Sequence, residues 1–305
     1  MNKTIGVAGA TGDLGQRIVR ALVARGADVR ILVRASSSST TISELEKLGV
    51  QVVTITNWTV PELAEACQRL SCVVSALSGL RDTVIDTQKI LLDAAVAAGV
   101  PRFIPSDYSI DFTNLPAGRN RNLDLRREFH AYLDKAPIAA TTIFNGPFAD
   151  MVTGQMPIIL FGLKRVIVWG NADQRIDFTT KDDTAAFAAS AALDDATPRF
   201  LRIAGDELSI RELTTVVSEV TGQPYRLVQL GGLGVLSTLI RMARFVAPGS
   251  DDVYPAWQGM QYMRDMLDGR GKASVLDNNR YSGIRWHTVK DVLAAYVANS
   301  NQSVA

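Results

Sequence analysis

Gly6-Val-Ala-Gly9-Ala-Thr-Gly12-Asp-Leu-Gly15 is the stretch on which the fold turns. Ahead of the glycines, Thr4 to Ala8 is a short apolar run of β type; behind them Leu14, Ile18 and Leu22 recur every four residues, as on one face of a helix. Strand, glycine turn and helix in that order make a cradle for a dinucleotide diphosphate. The N–H groups that open a helix have no intrahelical partner and lie at the positive end of its dipole, and glycine removes the side chains that would hold a diphosphate off. The spacing Gly9-x-x-Gly12-x-x-Gly15 is one residue longer between its first two glycines than the G-x-G-x-x-G fingerprint. The expected diphosphate contacts are Gly9, Thr11, Gly12, Asp13 and Leu14.

The end of the second strand separates the two nicotinamide dinucleotides. An acidic residue there accepts from the ribose hydroxyls of NAD, whereas a cation suits the 2′-phosphate of NADP. Val29-Arg-Ile-Leu-Val33 runs into Arg34, a hydroxyl-rich loop follows through Thr41, and the first carboxylate is Glu44. The expected cofactor is NADP(H), with Arg34 and Ser36 at the 2′-phosphate.

Through about residue 150, strand-like and helix-like runs alternate, which is the pattern of a doubly wound parallel sheet. Four further strands are expected at Val50–Ile55, Cys72–Leu77, Arg102–Pro105 and Ala139–Phe144. Ligands bind such sheets beyond the carboxyl ends of the strands. Asn57 is therefore expected near the adenine, and Ala76, Leu77, Ser106, Asn145 and Phe148 toward the nicotinamide. The reading is an α/β protein: residues 1–150 a Rossmann-type cofactor domain, residues 151–305 a smaller α+β substrate- or partner-binding region, some of whose segments return to the sheet. In that second part Arg165–Gly170 and Arg175–Phe178 read as a hairpin, Asp182–Leu193 as an Ala-rich helix, and Ser209-Ile-Arg-Glu212 as a capping box. Leu230–Trp257 mixes apolar helix with Gly and Pro breaks and reads as a lid over a pocket, a core helix or a dimer-forming helix.

Composition removes several function classes. The chain has 305 residues, 47% of them hydrophobic, and 32 Lys+Arg stand against 31 Asp+Glu, so it has ample core and no basic footprint for nucleic acid or an anionic membrane. Cys67 and Cys72 have neither zinc-knuckle nor disulfide-framework spacing, and read as reduced core thiols; no metal site is expected. The first residues enter a strand without a basic and then long apolar leader, and the uncharged run Leu227–Ile240 falls short of the ~20 residues a bilayer requires. A soluble, cytoplasmic protein without a membrane segment is expected, its oligomeric state left open.

Read in order, Gly9-Ala-Thr-Gly12-Asp-Leu-Gly15, Val33-Arg34, Phe103-Ile-Pro-Ser-Asp-Tyr-Ser109, Asn145-Gly-Pro-Phe148, Trp169-Gly-Asn-Ala-Asp, Lys181-Asp-Asp-Thr-Ala and Asn279-Arg-Tyr281 resemble the NmrA-like family. That family includes the isoflavone-reductase-like atypical short-chain dehydrogenases. The resemblance implies a Rossmann domain with NADP(H) at the strand ends and a smaller C-terminal domain closing a substrate cleft. It implies two functions: reduction of a small aromatic or carbonyl compound, or catalytically silent sensing of NADP with a protein partner.

A reductase needs a positioned acid beside its hydride source. None of the seven tyrosines has a lysine four residues on, so the Tyr-x-x-x-Lys pair of the better-known short-chain dehydrogenases is absent. The lysine that isoflavone-reductase-like enzymes carry on the helix after this Pro-Ser segment has its place near Arg126, and no lysine occurs between Lys89 and Lys135. An arginine holds a ribose or phosphate oxygen but, with a pKa above ~12, does not readily give up a proton. Tyr108 is then the expected proton donor, its phenol lowered by Arg126. His130 lies one turn beyond Arg126 on the same face; it and His287 read as packing or surface residues.

Overall fold

The computed structural model describes residues 2–249 and 251–302. Its first half is β1 (Thr4–Ala8), α1 (Asp13–Ala24), β2 (Asp28–Arg34), α2 (Ser39–Glu46), β3 (Gln51–Ile55), α3 (Val60–Ala66), β4 (Cys72–Ser75), a π turn (Asp82–Thr87), α4 (Gln88–Ala97), β5 (Arg102–Ile104), α5 (Arg121–Leu133) and β6 (Ala139–Ala140). These six strands form one parallel sheet in the order β3-β2-β1-β4-β5-β6. The chain direction across the sheet reverses between β1 and β4, the crevice where dinucleotides bind such folds. Alternate strand residues feed two apolar layers. Val7, Ile31, Val74 and Ile104 pack with α1 and with α6 (Lys181–Leu193), while Ala8, Leu32, Val73 and Phe103 pack with α3, α4 and α5.

The hydroxyl-rich stretch after Arg34 is not a loop throughout. Ser38 accepts from Thr41 N at 3.4 Å and caps α2, the role its short side chain suits.

From residue 142 the order is β7 (Thr142–Phe144), β8 (Ile159–Leu160), β9 (Arg165–Val168), β10 (Arg175–Phe178), α6, β11 (Phe200–Arg202), β12 (Asp206–Ser209), α7 (Ile210–Thr221), β13 (Arg226–Gln229), α8 (Leu233–Val246), α9 (Ala256–Leu267) and α10 (Val289–Gln302). The second half rejoins the first twice. β11 pairs with β7, and α6, buried through Ala185, Phe187, Ala188, Ala189, Ala191 and Ala192, runs beside α1, with Lys181 on Asp13, Asp182 on Arg17 and Ser190 on Arg25. Ser209 and Glu212 form the capping box of α7. The expected hairpin is absent: β9 pairs with β13 and β8, and β10 pairs with β12. Gly170 explains the separation, since its N–H donates to Gly231 O at 2.8 Å and its carbonyl accepts from Gln229 Nε2 at 2.6 Å, so the chain leaves β9 toward β13.

Within Leu230–Trp257, α8 buries Leu236 and Ile240 and leaves Val235, Leu239, Met242 and Phe245 exposed; Ser250 lies outside the described residues. From α9, Gln258 Nε2 donates to Asn120 Oδ1 at 2.8 Å, and Asp265 Oδ2 accepts from Asn120 Nδ2 at 3.1 Å, which fixes α9 to the cap of α5. Among the described residues no helix is long and apolar enough to cross a membrane. Cys67 and Cys72 are buried and unbridged, and burial pushes their thiols up to about 11 and 12.

Candidate functional site

The glycine turn sits at the β1/β4 crevice. Gly9 has φ +78°, and a Cβ there would lie 2.6 Å from Ala76 O, so the ends of β1 and β4 touch backbone to backbone. A Cβ on Gly15 would lie 2.0 Å from Gly9 O, which lets α1 close onto the turn. Gly12 caps α1, and no side chain satisfies the N–H groups behind it. Gly12 N bonds Gly9 O at 3.0 Å and Gln16 Nε2 bonds Thr11 O at 3.1 Å, so the turn is braced from inside. Asp13 turns its carboxylate to Lys181 (2.7 Å) and Arg17 (2.8 Å), whose hydrogen bonds hold it below the usual carboxylate range. The Asp13 carboxylate is thus engaged within the protein, and Leu14 packs into the α1 layer.

At the end of β2, Arg34 is exposed with its guanidinium 5.2 Å above the Trp58 ring, and its Nη2 lies 3.5 Å from Thr87 Oγ1. Ser36 is exposed in the turn that follows, closed by Ser37 N to Arg34 O at 2.9 Å. At the end of β3 the N–H groups of Thr56 and Asn57 both go to Glu62 (2.7 Å each), leaving the Asn57 side chain exposed. Trp58 and Thr87 escaped the sequence reading because they meet Arg34 from across the chain.

The ends of β4, β5 and β7 bring polar groups under α5. Ser106 N donates to Gln88 Oε1 at 2.9 Å. Asp107, fully buried, takes His130 Nε2 at 2.5 Å and the Thr142 hydroxyl at 3.0 Å, and Arg199 Nη1 donates to Thr142 Oγ1 at 2.8 Å. Burial opposes the Asp107 charge, but His130, Arg126 and Thr142 outweigh it and hold the carboxyl below its ordinary range. Arg126 is buried on α5, with Nη1 on Asn122 O at 3.0 Å; burial works against its charge, and Tyr262, Tyr254 and Asp107 favour it. Asn145 is buried with Nδ2 on Gly146 O at 3.0 Å, and Phe148 packs in the α1–α6 layer.

Tyr108 corrects the sequence reading. Its ring packs with Ile5, Val7 and Ala185 on the opposite face of the sheet from α5, and burial, with Cys72 and Asp107, raises its phenol rather than lowering it. The phenols that act on Arg126 are Tyr254, exposed just before α9, and Tyr262, which burial pushes up to about 12. Neither lay near a motif.

Buried polar atoms without partners include Ser75 Oγ, Asp107 Oδ1, the Tyr108 hydroxyl and Asn145 Oδ1 at the ends of β4, β5 and β7, and Arg126 Nε within α5. Unsatisfied buried groups are costly, and a polar ligand across the strand ends is what would satisfy them. With the uncapped glycine turn and Arg34, they fit a dinucleotide lying from β2 to β7. Among the described residues no cluster of three or more His, Cys, Asp or Glu is placed to hold a metal.

Comparison with known proteins agrees with this architecture. The model described as the NmrA-like family matches residues 1–256. Pinoresinol reductase 1 of Arabidopsis thaliana is 28% identical over 254 residues, spanning 77% of this chain and 80% of that protein. AtPrR2 solved with NADP+ and (+)pinoresinol has a TM-score of 0.82 at 21% identity, covering 97% of this chain and 99% of that one. The binary complex of leucoanthocyanidin reductase and NADPH from Vitis vinifera has a TM-score of 0.78 at 19% identity, again covering 97% and 99%. At those identities the structural likeness speaks to the fold.

Proposed function

The chain belongs to the NmrA-like family, and from that premise we propose that it is an NADP(H)-dependent reductase of a small aromatic or carbonyl compound. One observation carries the cofactor: an uncapped glycine turn at the β1/β4 crevice shares its rim with Arg34, which replaces the acidic residue an NAD site places at the end of β2. Relatives named as pinoresinol reductases support reductase chemistry on an aromatic substrate.

In this reading Gly9, Thr11, Gly12 and the start of α1 hold the diphosphate. Arg34 and Ser36 hold the 2′-phosphate, Asn57 borders the adenine, and Ala76, Leu77, Ser106, Asn145 and Phe148 border the nicotinamide. The cofactor, when bound, supplies a hydride. Arg126 stands where isoflavone-reductase-like enzymes resemble one another in having lysine; permanently charged, it holds an oxygen that gains negative charge. The proton comes from Tyr254, the exposed phenol beside Arg126, in place of the core-bound Tyr108.

The cofactor assignment is tested by titrating NADPH and NADH against wild type and Arg34→Ala. Losing a charge-assisted phosphate contact weakens NADPH by about 1.5–3 kcal/mol and leaves NADH nearly unchanged; equal losses refute the 2′-phosphate assignment. NADPH that binds without being consumed across a panel of quinones, enones and aromatic carbonyls refutes the reductase. With a turned-over substrate in hand, Tyr254→Phe should lower kcat by about a hundredfold at nearly constant KM for NADPH. An unchanged kcat removes Tyr254 from the chemistry.

A further inference from the structure

At the rim of the same site, resting on the cofactor reading above, we propose that Trp58 is a positioning residue that holds the Arg34 guanidinium flat and thereby sets the preference for a 2′-phosphorylated dinucleotide. The guanidinium lies 5.2 Å from the centre of the indole ring, inside the range at which a cation is drawn to a ring face. The indole is itself fixed, because its Nε1–H donates to Thr87 O at 3.3 Å. Thr87 closes the π turn Asp82–Thr87, an insertion of the kind that re-aims side chains at functional sites. Its hydroxyl donates to Asp82 O at 2.8 Å, which turns an oxygen lone pair to Arg34 Nη2 at 3.5 Å. Among the described residues Arg34 makes no ion pair; its contacts are the indole face and the Thr87 hydroxyl. A cation without a counter-charge, stacked on a tethered ring, is prepared for an anion.

Stacking matters because Arg34 is exposed. A free arginine samples many rotamers, and freezing it on a ligand weakens binding. Held over the indole, the guanidinium is ordered beforehand at the end of the second strand, where a ribose 2′-phosphate would sit. NADH has no group there, so a defect confined to the orientation of Arg34 spares NADH.

The experiment measures dissociation constants of the full chain for NADPH, NADH and 2′-AMP by calorimetry, for wild type, Arg34→Ala, Trp58→Leu, Trp58→Phe and Thr87→Val. Trp58→Leu should weaken NADPH and 2′-AMP by about three- to tenfold and NADH by less than about twofold, with a smaller loss in Trp58→Phe, which keeps a ring face. An equal loss of NADPH and NADH in Trp58→Leu overturns the proposal. So does unchanged NADPH affinity in Trp58→Leu beside a weakened Arg34→Ala, and in that case the 2′-phosphate assignment of Arg34 stands. Wild type that binds neither NADPH nor 2′-AMP removes both. Should Trp58→Leu fail to fold, Trp58→Phe and Thr87→Val carry the test: an unchanged NADPH-to-NADH ratio in both overturns it.

Discussion

Replacing Asp107 by alanine should destabilise the protein by about 3–5 kcal/mol, the range for breaking a buried pair and leaving its partner uncompensated. Asp107 is fully buried and His130 is nearly so. Removing the carboxylate strips His130 Nε2 of its 2.5 Å partner, takes the acceptor from the Thr142 hydroxyl and withdraws a counter-charge from Arg126. Asp107→Asn, which keeps the shape but loses the charge, should cost less. The pH dependence has a definite sign. Because the folded carboxyl lies below its unfolded value near 3.8, its stabilisation is complete above that value and is lost as pH falls toward and through the folded one. Urea unfolding at neutral pH and at successively lower pH values checks both statements. If wild type and Asp107→Ala unfold at the same urea midpoint at neutral pH, the network carries no stability.

Gly15→Ala should abolish measurable binding of both NADPH and NADH, a loss of about a thousandfold or more, equivalent to ~4 kcal/mol. The added methyl would stand 2.0 Å from Gly9 O and 2.8 Å from Gly9 C, and both are backbone atoms that no rotamer change moves aside. Either α1 recedes or the turn opens, and each outcome displaces the N–H groups aimed at the diphosphate. A change at the diphosphate strikes both cofactors alike, which distinguishes it from Arg34→Ala. Calorimetry with each dinucleotide, with circular dichroism to confirm the fold, is sufficient. A variant that retained wild-type affinity would place the diphosphate elsewhere.

The six-stranded half was legible because its signals are local. The glycine turn, the amphipathic face of α1 and the cation ending β2 each lie within a few residues of the element they specify, and the capping box of α7 spans only Ser209 to Glu212. The hairpin failed for the opposite reason: the partners of β9 and β10 are chosen by β13 and β12, which arrive later in the chain. The expected lowering of the Tyr108 phenol failed on direction. Asp107 and Tyr108 follow β5 through a bend, where Asp107 N bonds Pro105 O, and the aspartate rather than the tyrosine turns toward α5. Nothing local to Arg126 foretells Tyr254 or Tyr262, which reach it only because α9 is fastened to the cap of α5.

The Ala-rich helix over α1 bears on how the molecule could be divided. A fragment ending near residue 150 would keep all six strands of the main sheet yet lose the buried Phe187 and the alanines of α6 from the layer that holds Val7 and Ile31, and Asp13 would lose Lys181. Losing a helix with six buried apolar residues in that layer gives up several kcal/mol, at roughly 25 cal/mol for each Å² of apolar surface uncovered, a large part of the margin by which a domain stays folded. The six-stranded half is thus continuous in sequence only as far as its sheet is concerned; as a unit able to stand alone it must borrow a helix from the other half, and expression of either piece separately should yield aggregate rather than a working module.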